Sequence, residues 1–364
     1  MSDSPIFKED VISQIPALQL LVNMGWKYIS PEECLNLRGG KIGSPILDKV
    51  LEKQLRILPI NKIDYKGEKY DFSNQNVNAA IMTLKNIRYD GLVKTNEEIY
   101  DLLSLGKSFE ETIQGNTKSH TMNYIYWDHP ENNIYQVTAE YEVETDDGRS
   151  SRKPDIILFV NGIPFVVIES KSHDIDKPIE QAISQHIRNQ KDGYIPKFFI
   201  YPQLLLAVNK NEVKYGTVST PMKFWSKWRE DIDEKNLSKL VNTPLDDEIK
   251  KRLFSGRFEY LRNYFDDIER DGRKVTNQDK GVYCLCRPER VIDLTKRFIV
   301  FDAGYKKIAR YQQYFTVKKT LERIKKYTKD GKRQGGVIWH TQGSGKSLLM
   351  VMLAKAISID PKIP

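Results

Sequence analysis

Two short clusters of residues carry the chemistry available to this chain. The first is Pro154-Asp155 followed by Glu169-Ser170-Lys171. Hydrolysis of a phosphodiester calls for a bound Mg2+ that polarises the phosphate and lowers the pKa of the attacking water. Mg2+ takes oxygen ligands, commonly one or two carboxylates with water, and Asp155 and Glu169 can supply them. Lys171, two residues past Glu169, falls on the same face of a strand and can orient the water or stabilise developing negative charge. The same residues also suit a structural ion pair at strand ends, and spacing alone does not separate the two readings. Gln185, on the helix expected after Lys171, can reach the phosphate or steady the metal ligands, or can be a polar shoulder of that helix.

The second cluster is Thr341-Gln342-Gly343-Ser344-Gly345-Lys346-Ser347, preceded by His340. Glycines between a strand and a helix let backbone N–H groups wrap phosphates at the helix N-terminus. Lys346 is then placed for the β- and γ-phosphates of ATP and the Ser347 hydroxyl for Mg2+. His340 stands where the common form of this loop has its first glycine. Upstream, Arg310-Tyr311-Gln312-Gln313 offers a glutamine for the adenine edge, and Gln312 is the choice made here; a helix cap is the plainer role.

The elements that must position these residues follow from periodicity. Residues 156–160 and 163–168 are apolar on both faces and meet at Asn161-Gly162, a hairpin signal, so they belong at the centre of a sheet. A strict two-residue loop would pair Asp155 with Ile168 and turn the two acids to opposite faces. Co-facing acids need a three-residue loop or a bulge near Pro164, and that geometry is predicted. Alternation over 135–143 marks a half-buried strand, and further strands are expected over 198–208 and 212–218. Helices are expected over 9–24, 46–58 and 74–85, after Asp176 as a cap, around 314–324 and over 346–357. Residues 335–340 read as a short buried strand.

Composition sets the class. The 364 residues are 40% hydrophobic with 21 Gly and 16 Pro, which describes a globular chain with room for two domains. The polar N-terminus and the short apolar runs indicate no leader and no membrane span. Cys34, Cys284 and Cys286 form neither a zinc ribbon nor a disulfide framework, which fits a cytoplasmic protein. The formal charge is +8, and residues 306–333 alone hold 11 Lys or Arg against Glu322 and Asp330. Such a run either neutralises nucleic-acid phosphates or is the solvated face of a helix.

Together these residues resemble the restriction (R) subunit of type I restriction–modification enzymes over most of the chain. Residues 152–164 look like that family's first nuclease motif and 166–171 like its second, with Ser170 where Leu or Cys is more usual. Residues 288–290, 298–301 and 310–314 resemble its linker into the motor, and 339–347 its phosphate loop, His340 included. One departure concerns Q-x-x-x-Y on the helix after the lysine: the register gives Gln185 with Asn189, while Gln190 and Tyr194 repeat the spacing five residues later. The resemblance implies a PD-(D/E)xK endonuclease-like core, a mixed central sheet flanked by helices, over residues 1–235. A helical linker over 236–305 and the start of a RecA-like superfamily-two motor lobe over 306–364 would follow. It further implies Mg2+ and ATP as cofactors, double-stranded DNA as substrate, and methylation and specificity subunits as partners. Only 17 residues follow Ser347, so this chain alone is expected not to hydrolyse ATP. Two other readings are a repair or defence nuclease–helicase without methylation partners, and a truncated chain that binds DNA or partners without turnover.

Overall fold

A computed structural model of the protein describes residues 13–339 and 341–363. The start of the helix expected over 9–24, and His340, lie outside them. At the centre is a mixed six-stranded sheet whose spatial order follows the chain. Its strands are β1 (Lys27–Tyr28), β2 (Tyr135–Ala139), β3 (Ile156–Val160), β4 (Ile163–Ser170), β5 (Leu204–Asn209) and β6 (Glu212–Gly216). The β1–β2 and β4–β5 pairs are parallel and the other three antiparallel. A parallel neighbour demands a crossover, and the β4–β5 crossover carries the helix Pro178–Asn189.

The β3–β4 hairpin has the two-residue turn that its sequence suggested. Asn161 (φ 53°) and Gly162 (φ 81°) both take positive φ, the signature of a turn whose twist matches the strands. A side chain at position 162 would also meet the Leu47 carbonyl oxygen at 2.8 Å. Asn161 is fully buried and ties the turn to the preceding segment, donating to Tyr124 O at 2.9 Å and accepting from Ile134 N at 2.9 Å.

Register then slips by one residue. Ile163 and Pro164 pair with Val160 and Phe159, but Val166 pairs with Leu158, so Phe165 is the extra residue of a bulge. The two cores show the consequence. Ile163, Phe165, Val166 and Ile168 pack on one face with Ile156, Leu158 and Val160. Val167 packs on the other with Ile157, Phe159, Ile179 and Ile183. Two neighbours, Phe165 and Val166, thus share a face, and every residue beyond them is inverted relative to a regular strand. The bulge near Pro164 that co-facing acids require is present.

Several expectations are corrected. Residues 196–199 form a helical turn, with Pro196 in its first position, where proline is favoured; the strand expected from 198 begins only at Leu204. The strand expected over 135–143 ends at Ala139, because Glu140 turns to φ 54°. The cap of the Pro178–Asn189 helix is Lys177, not Asp176. Residues 335–339 form no strand, and Val337 and Trp339 are 92% and 90% exposed. A strand needs a partner for its backbone groups, and no described strand pairs with this segment, whose Gly335 carbonyl is met instead by the Arg323 guanidinium.

Toward the C-terminus, the helices Tyr311–Ile324 and Lys346–Ser358 pack on each other and beside the helix Pro288–Phe298. The hairpin Ile299–Asp302/Tyr305–Ile308 joins them. Part of the basic run is internal: Lys306 is 4% exposed and donates to Asn96 Oδ1 and Gln203 Oε1, each at 2.7 Å. No described helix is long and apolar enough to cross a membrane.

Candidate functional site

Asp155 stands one step before β3 and Glu169 one step past the last registered pair of the hairpin, Ile156 with Ile168. The bulge therefore puts both carboxylates toward the face covered by the Pro178–Asn189 helix. Both are interior: Asp155 is 7% exposed and Glu169 0%. Asp155 Oδ2 accepts from the Ser170 backbone N–H at 2.7 Å and from the Ser170 hydroxyl at 3.1 Å. Glu169 Oε2 accepts from Gln185 Nε2 at 2.6 Å. Glu169 Oε1 is buried with no hydrogen-bond partner. Lys171 Nζ donates to Ser170 O at 2.8 Å, and its charge draws on both acids.

Burial pushes the Asp155 carboxyl above its usual range, against the pull of Lys171 and the Ser170 donors. Glu169 is pushed well above its own, first by burial, then by the charge of Asp155 against the pull of Lys171, with a side-chain hydrogen bond to Asp155 and, more weakly, the charge of Glu140 adding to the rise. Ionised, this pair is short of positive charge and of one donor. A small divalent cation taking oxygen ligands would relieve both, so the donor set fits Mg2+. Among the described residues no group of three or more His, Cys, Asp or Glu is arranged as a metal cluster. Two carboxylates completed by water meet the requirement of Mg2+ without one.

Gln185 is thus placed at the acids. Of the other glutamine–tyrosine pair, Gln190 turns away and accepts from Ser219 N at 2.7 Å, while the Arg152 guanidinium lies 5.0 Å from the Tyr194 ring centre. Asn189 is buried beside Ile195, whose N–H it receives through its backbone carbonyl at 3.1 Å. Sequence reasoning missed Gln14, Glu140 and His186. Glu140 was open to detection, since it directly follows an alternating strand destined to pair with Asp155's. His186 is wholly buried, Nε2 facing Leu206 O at 2.9 Å, and burial lowers its pKa to about 4.

The phosphate-loop residues border a cavity of about 990 Å³ whose lining includes Gly343, Ser344, Gly345, Ser347, Gln313 and Lys223. Gly343 and Gly345 have φ of 76° and 83°, and Gly345 caps the Lys346–Ser358 helix. Thr341 O accepts from the Ser344 hydroxyl at 2.7 Å. Thr341, Gln342 and Lys346 are exposed and outside that lining. The two adjacent glutamines differ in position. Gln312 is exposed, whereas Gln313 is 3% exposed and lines the cavity. Its Nε2 donates to Gly345 O at 3.1 Å, and its Oε1 accepts from Arg310 N at 2.8 Å.

Fold and site together describe a mixed α/β protein with an acid pair and a lysine at one end of its central sheet and a phosphate-loop sequence before a late helix. The chain belongs to the type I restriction enzyme R protein family: residues 6–224 match its N-terminal region. Residues 312–364 match the SWI2/SNF2 ATPase family. The type I restriction enzyme HindI endonuclease subunit of Haemophilus influenzae is 28% identical over 368 residues, covering 98% of this chain and 31% of its own length. A proposed type I restriction enzyme endonuclease subunit, MjaIXP, of Methanocaldococcus jannaschii is 26% identical over 362 residues, covering 95% of this chain and 31% of its own. The chain therefore spans about a third of these curated relatives.

Proposed function

We propose that this chain is the endonuclease portion of an ATP-driven restriction enzyme, cutting double-stranded DNA with Mg2+ held by Asp155 and Glu169. In this reading residues 1–235 are a PD-(D/E)xK-type nuclease, 236–305 a helical linker and 306–364 the beginning of a RecA-like translocase lobe. The observation that carries it is the Phe165 bulge, which turns Glu169 to the side of Asp155, where Glu169 Oε1 has no hydrogen-bond partner. The bound ion would polarise the scissile phosphate and make its water acidic. Asp155 is held in orientation by both Ser170 donors and Glu169 by Gln185. Lys171 would swing from the Ser170 carbonyl to the phosphate oxygen that gains charge.

The phosphate loop, with Lys346 and Ser347, would hold the phosphates of ATP and its Mg2+. The curated relatives are named as endonuclease subunits, which suits a multisubunit enzyme, and in this reading methylation and specificity subunits are the partners. Plasmid nicking with Mg2+ by the wild type and by Lys171→Ala tests the reading. Cleavage lost in the variant is expected. Equal cleavage by both discards the site.

A further inference from the structure

Glu140 has no part in the reading above, yet it is built into the same corner. β2 and β3 pair antiparallel up to Ala139 with Ile156, so the next residue of each strand brings Glu140 beside Asp155. The Glu140 N–H donates to Asp155 O at 3.0 Å. There the chain turns to φ 54°, a left-handed conformation that a non-glycine residue seldom adopts. Gln14 holds the turn from the other side. Its Nε2 donates to Glu140 Oε1 at 3.1 Å and to Asp155 O at 2.9 Å, and Gln14 itself is 1% exposed. One amide thus ties the Glu140 carboxylate to the backbone of the residue that carries the first metal ligand. Across the same corner, Glu169 Oε1 is fully buried and has no donor.

We propose that Glu140 is a third carboxylate of the cation pocket, reaching the ion through its hydration water and raising the affinity for a divalent metal. The proposal rests on the nuclease reading of Asp155 and Glu169. Direct ligation is not what the geometry offers: Glu140 is half-buried at the rim, and no three-acid cluster forms among the described residues. Mg2+ keeps several of its waters when bound, and those waters need acceptors. A carboxylate fixed at the rim by Gln14 supplies one, and adds attraction for the ion.

The test is Mn2+ binding by the protein, read from the spin-resonance signal of free Mn2+, with Glu140→Gln, Glu140→Asp and Asp155→Asn beside the wild type. Glu140→Gln keeps the shape and removes the charge. Its Mn2+ affinity is expected to fall by about tenfold, the usual effect of losing a group behind the direct ligands. Glu140→Asp should recover part of the loss, and Asp155→Asn should abolish binding. If Glu140→Gln binds Mn2+ as the wild type does while Asp155→Asn does not, the role of Glu140 is refuted and the metal site stands. If the wild type binds no Mn2+, or Asp155→Asn binds it equally, the nuclease reading falls and this proposal with it. Should Glu140→Gln fail to fold, Gln14→Ala removes the tether to Glu140 together with the donor to Asp155 O. It should weaken Mn2+ binding, and unchanged binding would overturn the proposal.

Discussion

Glu169 accepts a 2.6 Å hydrogen bond from Gln185 through one carboxylate oxygen and keeps the other buried without a donor. An ionised carboxylate in that position is expensive unless something positive arrives. Gln185 comes from the Pro178–Asn189 helix and Glu169 from the end of β4, so the helix fixes the acid through one oxygen only.

Substituting Gln185 should therefore grade the site. Gln185→Ala removes the donor and is expected to lower DNA cleavage by about 10- to 100-fold. Gln185→Glu should be worse, because it sets a further negative charge against Glu169. Comparable losses for Ala and Glu would show that the amide only fills space.

The acid pair also predicts a pH dependence. A carboxyl whose folded pKa is raised binds its proton more tightly in the folded state than in the unfolded one. Its contribution to stability is present below its ordinary range and is lost as pH rises through the folded value. Asp155 and Glu169 are both raised. In EDTA, Glu169→Gln should melt higher than the wild type, by a margin that widens as pH rises from the ordinary carboxylate range. Mg2+ should shrink or reverse that margin. Thermal melts across pH check this, and a margin independent of pH would contradict it.

Much of this corner was legible in the sequence. The apolar strands and Asn161-Gly162 announce the hairpin, and the need for co-facing acids implies the bulge. Other parts were not. The ribbon Lys107–Ile113/Asn116–Met122 is mostly exposed, so it lacks the apolar alternation that betrays a half-buried strand. Residues 335–339 carry the composition of a buried strand without a described neighbour to pair with. Gln313 could have been chosen over Gln312. It lies four residues before Val317 and eight before Leu321, on the buried stripe of its helix.

The turn itself can be tested. Gly162→Ala sets a side chain at φ 81° and against Leu47 O. It should lower stability by about 1–3 kcal/mol, measured by denaturant unfolding. A neutral result would mean that the hairpin tolerates another turn.

Nucleotide contact should distinguish the two glutamines. Gln313→Ala is expected to weaken binding of a fluorescent ATP analogue by about tenfold, the scale of one hydrogen bond, and Gln312→Ala to leave it unchanged. Gln313→Glu keeps the acceptor for Arg310 N and loses the amide donor, so it should bind as poorly as the Ala variant. Full binding by Gln313→Glu would reduce the residue to a helix cap.

The central claim is that Asp155 and Glu169 converge on one divalent cation. Anomalous diffraction from crystals grown with Mn2+ tests it most directly. The account predicts a peak between the two carboxylates, within about 2–2.6 Å of an oxygen of each. Bound Mn2+ elsewhere in the crystal, with none between these two side chains, would contradict it.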